Sequence, residues 1–192
     1  MYWGGLVALL VLLSFPDSSR AQCPDGSWTP GGDFTITIPG SSCDIEIFYC
    51  WKLVGGVLST WVYEVDPKTS GCNTFTPAQL IRWGSELAMD DPYLIWTVHG
   101  ITPCSKGTTT VQKYRRTCWK YQFNPAGGPQ YVACDLSDEY CLETCKACYG
   151  DIGPYYVIFT DCYWQESGLP SCDLPPNIWP VGTCYSLGCG VE

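Results

Sequence analysis

Cys141-Leu-Glu-Thr-Cys145-Lys-Ala-Cys148 is the stretch around which the rest of the chain is organised. Its cysteines fall at i, i+4 and i+7. Read as a helix, the segment projects all three sulfurs from one face. Consecutive helical turns set Cα atoms about 6 Å apart with poorly aimed Cβ vectors, so these cysteines do not pair with one another. The expectation is a short helix, capped by Ser137 and stopped by Gly150, riveted to other parts of the chain by up to three bridges.

Outward from that stretch, the whole chain repeats the theme. It has 192 residues, 14 cysteines and a formal net charge of −9. An even cysteine count at several times ordinary usage predicts a disulfide framework formed in an oxidising compartment. Its members are Cys23, Cys43, Cys50, Cys72, Cys104, Cys118, Cys134, Cys141, Cys145, Cys148, Cys162, Cys172, Cys184 and Cys189. Connectivity is not legible, since fourteen cysteines allow on the order of 10⁵ pairings. Residues 1–21 read as a secretory signal peptide: an apolar run over 6–13 too short to span a bilayer, a break at Pro16, and small Ser19 and Ala21 before the cut. Gln22 before Cys23 does not suit a lipoprotein anchor. Residues 22–192 then form one disulfide-stabilised domain, with 168–192 as an irregular Pro/Gly/Cys tail ordered by bridges. The acidic balance argues against nucleic acid. No second apolar run is long enough to span a membrane.

Alternation gives the clearest local signals. Phe34-Thr-Ile-Thr-Ile38 reads as a strand. Residues 44–53 and 57–66 read as a hairpin, with a three-residue loop Val54-Gly55-Gly56 that pairs Ile45 with Val65 and Ile47 with Tyr63. Thr76-Pro77 reads as an N-cap and first helical position, opening a helix over 77–89 whose buried stripe is Leu80, Trp83, Gly84, Leu87 and Ala88. Residues 93–98 read as a short strand. Residues 108–123 read as one long strand with room for a bulge, and 130–134 returns to make a second hairpin. Residues 155–164 read as the last strand.

Three short motifs together resemble a group of uncharacterised, secreted, cysteine-rich proteins of Gram-negative bacteria with type IX export. They are Cys43-Asp-Ile-Glu-Ile-Phe-Tyr-Cys50, Phe75-Thr-Pro-Ala-Gln-Leu-Ile81 and the cysteine cluster from Tyr140 to Cys148. The resemblance implies export and a cysteine-rich fold. It implies no activity and carries over no catalytic residues.

Candidate chemistry is sparse. Cys-x3-Cys-x2-Cys matches the spacing of the radical-SAM cluster loop, but Ala147 stands where an aromatic residue is usual, and an exported chain is oxidised. A zinc site using Cys134 and redox exchange at Cys145 and Cys148 are weaker readings than structural bridges. His99, the only histidine, is the sole candidate imidazole base. Asp44, Glu46, Glu64 and Asp66 face one another across the predicted hairpin and are the candidate cation-binding residues, with Ca²⁺ the candidate ion. Trp96, Trp119, Trp164 and Trp179 are candidates for stacking on sugar rings. The combined expectation is a β-rich α+β domain of antiparallel hairpins and two short helices, stapled by multiple disulfides. Its expected role is that of a secreted structural or surface-interaction protein, binding an extracellular protein or glycan. A glycan- or Ca²⁺-dependent binding module is the alternative, ahead of a secreted enzyme.

Overall fold

The computed structural model describes residues 23–134, 139–150, 157–167 and 172–189. The predicted signal peptide and its cut lie outside them, as does Ser137. The described residues form nine strands in one mixed sheet and one α-helix. The strands are β1 (Thr29–Thr37), β2 (Asp44–Val54), β3 (Val57–Pro67), β4 (Thr109–Arg116), β5 (Cys118–Phe123), β6 (Pro129–Ala133), β7 (Tyr140–Tyr149), β8 (Val157–Glu166) and β9 (Cys184–Ser186). The helix α1 (Pro77–Leu87) follows β3.

The β2–β3 hairpin forms, but with a shorter loop and a different register: Ile45 faces Pro67 and Ile47 faces Val65, in place of the expected Val65 and Tyr63. Gly55 and Gly56, at φ of 58° and 78°, turn the chain alone, and Val54 pairs with Val57. Two consecutive left-handed residues define the tight turn that matches strand twist, and glycine takes that conformation without strain. Between Phe48 and Tyr49 the register slips by one, so that Ile47 faces Val65 and Tyr49 faces Val62. The slip keeps Ile45, Ile47, Tyr49, Val62 and Val65 buried beneath the helix.

β3 is the axis of the sheet and is buried along nearly its whole length. β2 pairs along one edge. On the other, β4 takes the first half in parallel and β6 takes Glu64 and Val65 in antiparallel pairing. A parallel neighbour requires a crossover, here residues 68–108, and α1 lies in it. The sheet is therefore mixed, rather than built of antiparallel hairpins alone. α1 begins with a capping box: Thr76 Oγ1 accepts from the Gln79 amide and Gln79 Oε1 accepts from the Thr76 amide.

Four expectations are corrected. The cysteine segment is strand β7, not a second helix, so alternation puts Cys141 and Cys145 on one face and Cys148 on the other. The predicted strand over 93–98 is a single π-helical turn (Tyr93–Thr97); Asp91 accepts from the Tyr93 amide and from the Tyr49 hydroxyl, fixing the turn from outside its own sequence. The predicted long strand over 108–123 breaks at Thr117 into β4 and β5, which pair with different partners. The tail contributes strand β9 and buries Trp179 and Tyr185 in the core, in addition to its bridges.

All fourteen cysteines are paired. Cys23–Cys50 and Cys43–Cys72 tie down the β1–β2 end of the sheet. Cys104–Cys148 and Cys145–Cys162 hold β7 to the crossover and to β8. Cys118–Cys172, Cys134–Cys184 and Cys141–Cys189 strap the C-terminal segment over β5, β6 and β7. The three bridges expected from β7 to distant points are all present.

Candidate functional site: the cleft beside the helix

The side of β4 that faces α1 carries Val111, Lys113 and Arg115 at alternate positions, and β7 sets Cys145, Glu143 and Cys141 opposite them. Two cations thus lie under a helix, where apolar residues would be usual. Lys113 is 3% exposed. Its ammonium donates to Glu86 Oε2 of α1 at 2.6 Å and makes an ion pair with Glu143 Oε2 of β7. It also sits 4.3 Å from the centre of the Phe159 ring of β8. One ammonium therefore serves two carboxylates, and together they bind α1, β4 and β7 to one another.

Arg115, two residues further along β4, is 6% exposed and is bonded differently. Its Nη2 donates to the Gly188 carbonyl at 3.0 Å. Its Nε has no partner, and no carboxylate among the described residues forms an ion pair with it. Burial, together with the nearby Arg82 guanidinium, lowers its pKa to about 10, which still leaves it cationic at neutral pH. Ser186, on β9, likewise buries a hydroxyl with no partner.

Arg115 and Ser186 line a cleft of about 1050 Å³. Ala78, Arg82, Trp83 and Glu86 of α1 form one wall, with Asp90 at its end; Val157 and Phe159 of β8 form another. Leu174, Pro175 and Leu187 of the strapped C-terminal segment form the third. Asp90 accepts from the Val157 amide at 2.9 Å, and burial raises its carboxyl to about 6. The cleft is mostly apolar with a few convergent polar groups, as small-molecule sites commonly are. Its polar face could be sought at the i, i+4, i+8 spacing of Arg82, Glu86 and Asp90 and at the alternation of Lys113 and Arg115. The sequence reading singled out neither pattern as a site.

The residues singled out from sequence lie elsewhere. Glu46 and Asp66 are cross-strand partners on the hairpin, and the Lys68 ammonium pairs with both. Asp66 also accepts from Asn124 Nδ2 at 3.4 Å, and burial raises its pKa. Asp44 accepts from the Thr37 hydroxyl at 2.6 Å, and Glu64 is buried against β6. The chain thus places its own cation among the hairpin acids. His99 is exposed at φ 52°, outside the cleft.

The four candidate tryptophans are not brought together. Trp119 is wholly buried and donates to the Arg116 carbonyl at 2.7 Å, Trp164 lies on β8 at the far edge of the sheet, and Trp96 is 42% exposed on the π-helical turn. Trp179 is buried at the base of a second, smaller groove of about 480 Å³, which Phe75, Tyr121 and Tyr131 also line. With every cysteine in a bridge, Cys134, Cys141, Cys145 and Cys148 offer no thiolate to a metal or cluster. Glu143, Cys145 and Cys162 do bring ligand-type atoms within 4.8 Å of one another, but the two sulfurs are bonded to each other. No helix among the described residues is long and apolar enough to cross a membrane. Comparison with known protein families, curated proteins and solved structures finds no match.

Proposed function

We propose that this chain is an exported extracellular binding protein: a disulfide-stapled scaffold that holds a ligand in the cleft between α1, β8 and the C-terminal segment. The cleft itself carries this reading. It is an open concavity of about 1050 Å³ with mostly apolar walls and a few polar groups, the composition small-molecule sites commonly have. The seven bridges suit an oxidising compartment, and four of them fix two of the walls, β8 and the C-terminal segment, to the sheet. Recovery of the protein from outside the producing cell with Gln22 as its first residue tests export; retention with residues 1–21 attached overturns it. A panel of soluble amphiphiles, followed by melting temperature and amide hydrogen exchange, tests the cleft. Ligand should raise the melting temperature and slow exchange over residues 78–90 and 157–159. Protection confined to other regions would move the site elsewhere.

A second reading, as a glycan-binding module, rests on the aromatic groove of Phe75, Tyr121, Tyr131 and Trp179. Tyr121 and Tyr131 are half-buried, with ring centres 5.5 Å apart, and Asn73 and Asn177 supply amides beside them. Tyr131→Ala should abolish oligosaccharide binding on this reading. Unchanged binding would exclude the groove.

A further inference from the structure

We infer that the cleft receives a small amphiphile with a single carboxylate head, the head meeting Arg115 and Ser186 and the apolar body lying against α1 and β8. The inference rests on the cleft being the binding site and names the class of ligand. A buried guanidinium is costly unless paired. Lys113, its neighbour on the same face, has two carboxylates; among the described residues Arg115 pairs with none, and it spends one of its donors on a backbone carbonyl. Its unpartnered Nε, with the unpartnered Ser186 hydroxyl lining the same cleft, leaves two donors for an acceptor that no described residue supplies. Guanidinium donors match the planar, two-oxygen geometry of a carboxylate. The charges around the cleft sharpen the choice. Glu86 and Glu143 are ion-paired with Lys113, and Asp90 accepts from the Val157 amide at the far end of the helix wall. Beyond the head, Trp83, Leu87, Phe159 and Leu187 provide apolar wall for an alkyl or aryl body.

The test titrates the oxidised protein with octanoate, 1-octanol and octylammonium at pH 7.5 by calorimetry. Octanoate should bind at least tenfold more tightly than 1-octanol, and octylammonium weakest of the three. Arg115→Met should remove the preference for octanoate while leaving octanol binding intact. Equal affinity for octanoate and octanol in the unmodified protein would overturn the carboxylate assignment and leave the cleft as an apolar site. No binding of either would overturn the cleft reading as well. Because the unmodified protein alone decides between these outcomes, a failure of Arg115→Met to fold does not rescue the inference. Ser186→Ala, a smaller change, should weaken octanoate severalfold and leave octanol unaffected.

Discussion

Gly84 lies in the middle of α1, where alanine would ordinarily be worth about 1 kcal/mol more than glycine. A Cβ there would come within 2.5 Å of the Val65 Cγ2 atom on β3. Val65 is fully buried, and a β-branched side chain has few alternative rotamers. The steric cost of overpacking, about 1–3 kcal/mol, should exceed the helical gain. Gly84→Ala is therefore expected to lower stability by about 1–2 kcal/mol in denaturant unfolding; a stabilised variant would mean that the helix can lift from the sheet. Asp90 makes a prediction of opposite sign. Burial raises its folded pKa to about 6 from an ordinary value near 3.8. Its contribution to stability is complete below about pH 4 and is lost as pH rises through 6. Asp90→Asn, whose amide oxygen can still accept from Val157, should flatten the stability profile between pH 4 and 6 and raise stability at pH 7 by about 1–2 kcal/mol. An unchanged profile would place Asp90 in solvent.

At the scale of elements, α1 and the β2–β3 hairpin were legible because their signals are local. Thr76-Pro77 marks a start whatever packs against it, and ten residues of alternation ending in Gly55-Gly56 allow few alternatives. β7 escapes a reading by spacing because i, i+4 and i+7 also describe a helical face, whereas cysteine positions answer to their bonding partners. Cys141 and Cys145 share a face in either structure; only the odd step to Cys148 separates the two, and its partner Cys104 lies on the crossover. The candidate site was illegible for a related reason. Lys113, Arg115, Glu86 and Glu143 come from three elements, and only the parallel β3–β4 pairing sets them under one helix. Their coupling can be measured. Lys113→Met should cost about 3–5 kcal/mol, because it leaves two carboxylates beneath α1 without a counter-charge. Adding Glu86→Gln and Glu143→Gln should recover most of that loss. A small effect of the single change would mean that water already reaches the site.

At the scale of the molecule, the apolar core and the bridges divide the task of stability. Single bridges closing loops of this size are worth about 3–4 kcal/mol each, and less when loops overlap. Seven of them exceed what a domain can lose, since typical net stability is about 5–15 kcal/mol. Full reduction, seen as a gain of about 14 Da for the seven bridges, should therefore abolish the cooperative thermal transition in circular dichroism. A surviving transition would show a self-sufficient core.

The C-terminal strap has a consequence in time. Cys118, Cys134 and Cys141 find their partners at Cys172, Cys184 and Cys189, 48 to 54 residues later in the chain. Cys23–Cys50 and Cys43–Cys72 can close early, while the chain is still emerging; these three thiols must wait, open to wrong partners, until residues 172–189 have been made. Bridge formation thus runs from the hairpin toward the cleft, whose third wall is fixed only when those later crosslinks form.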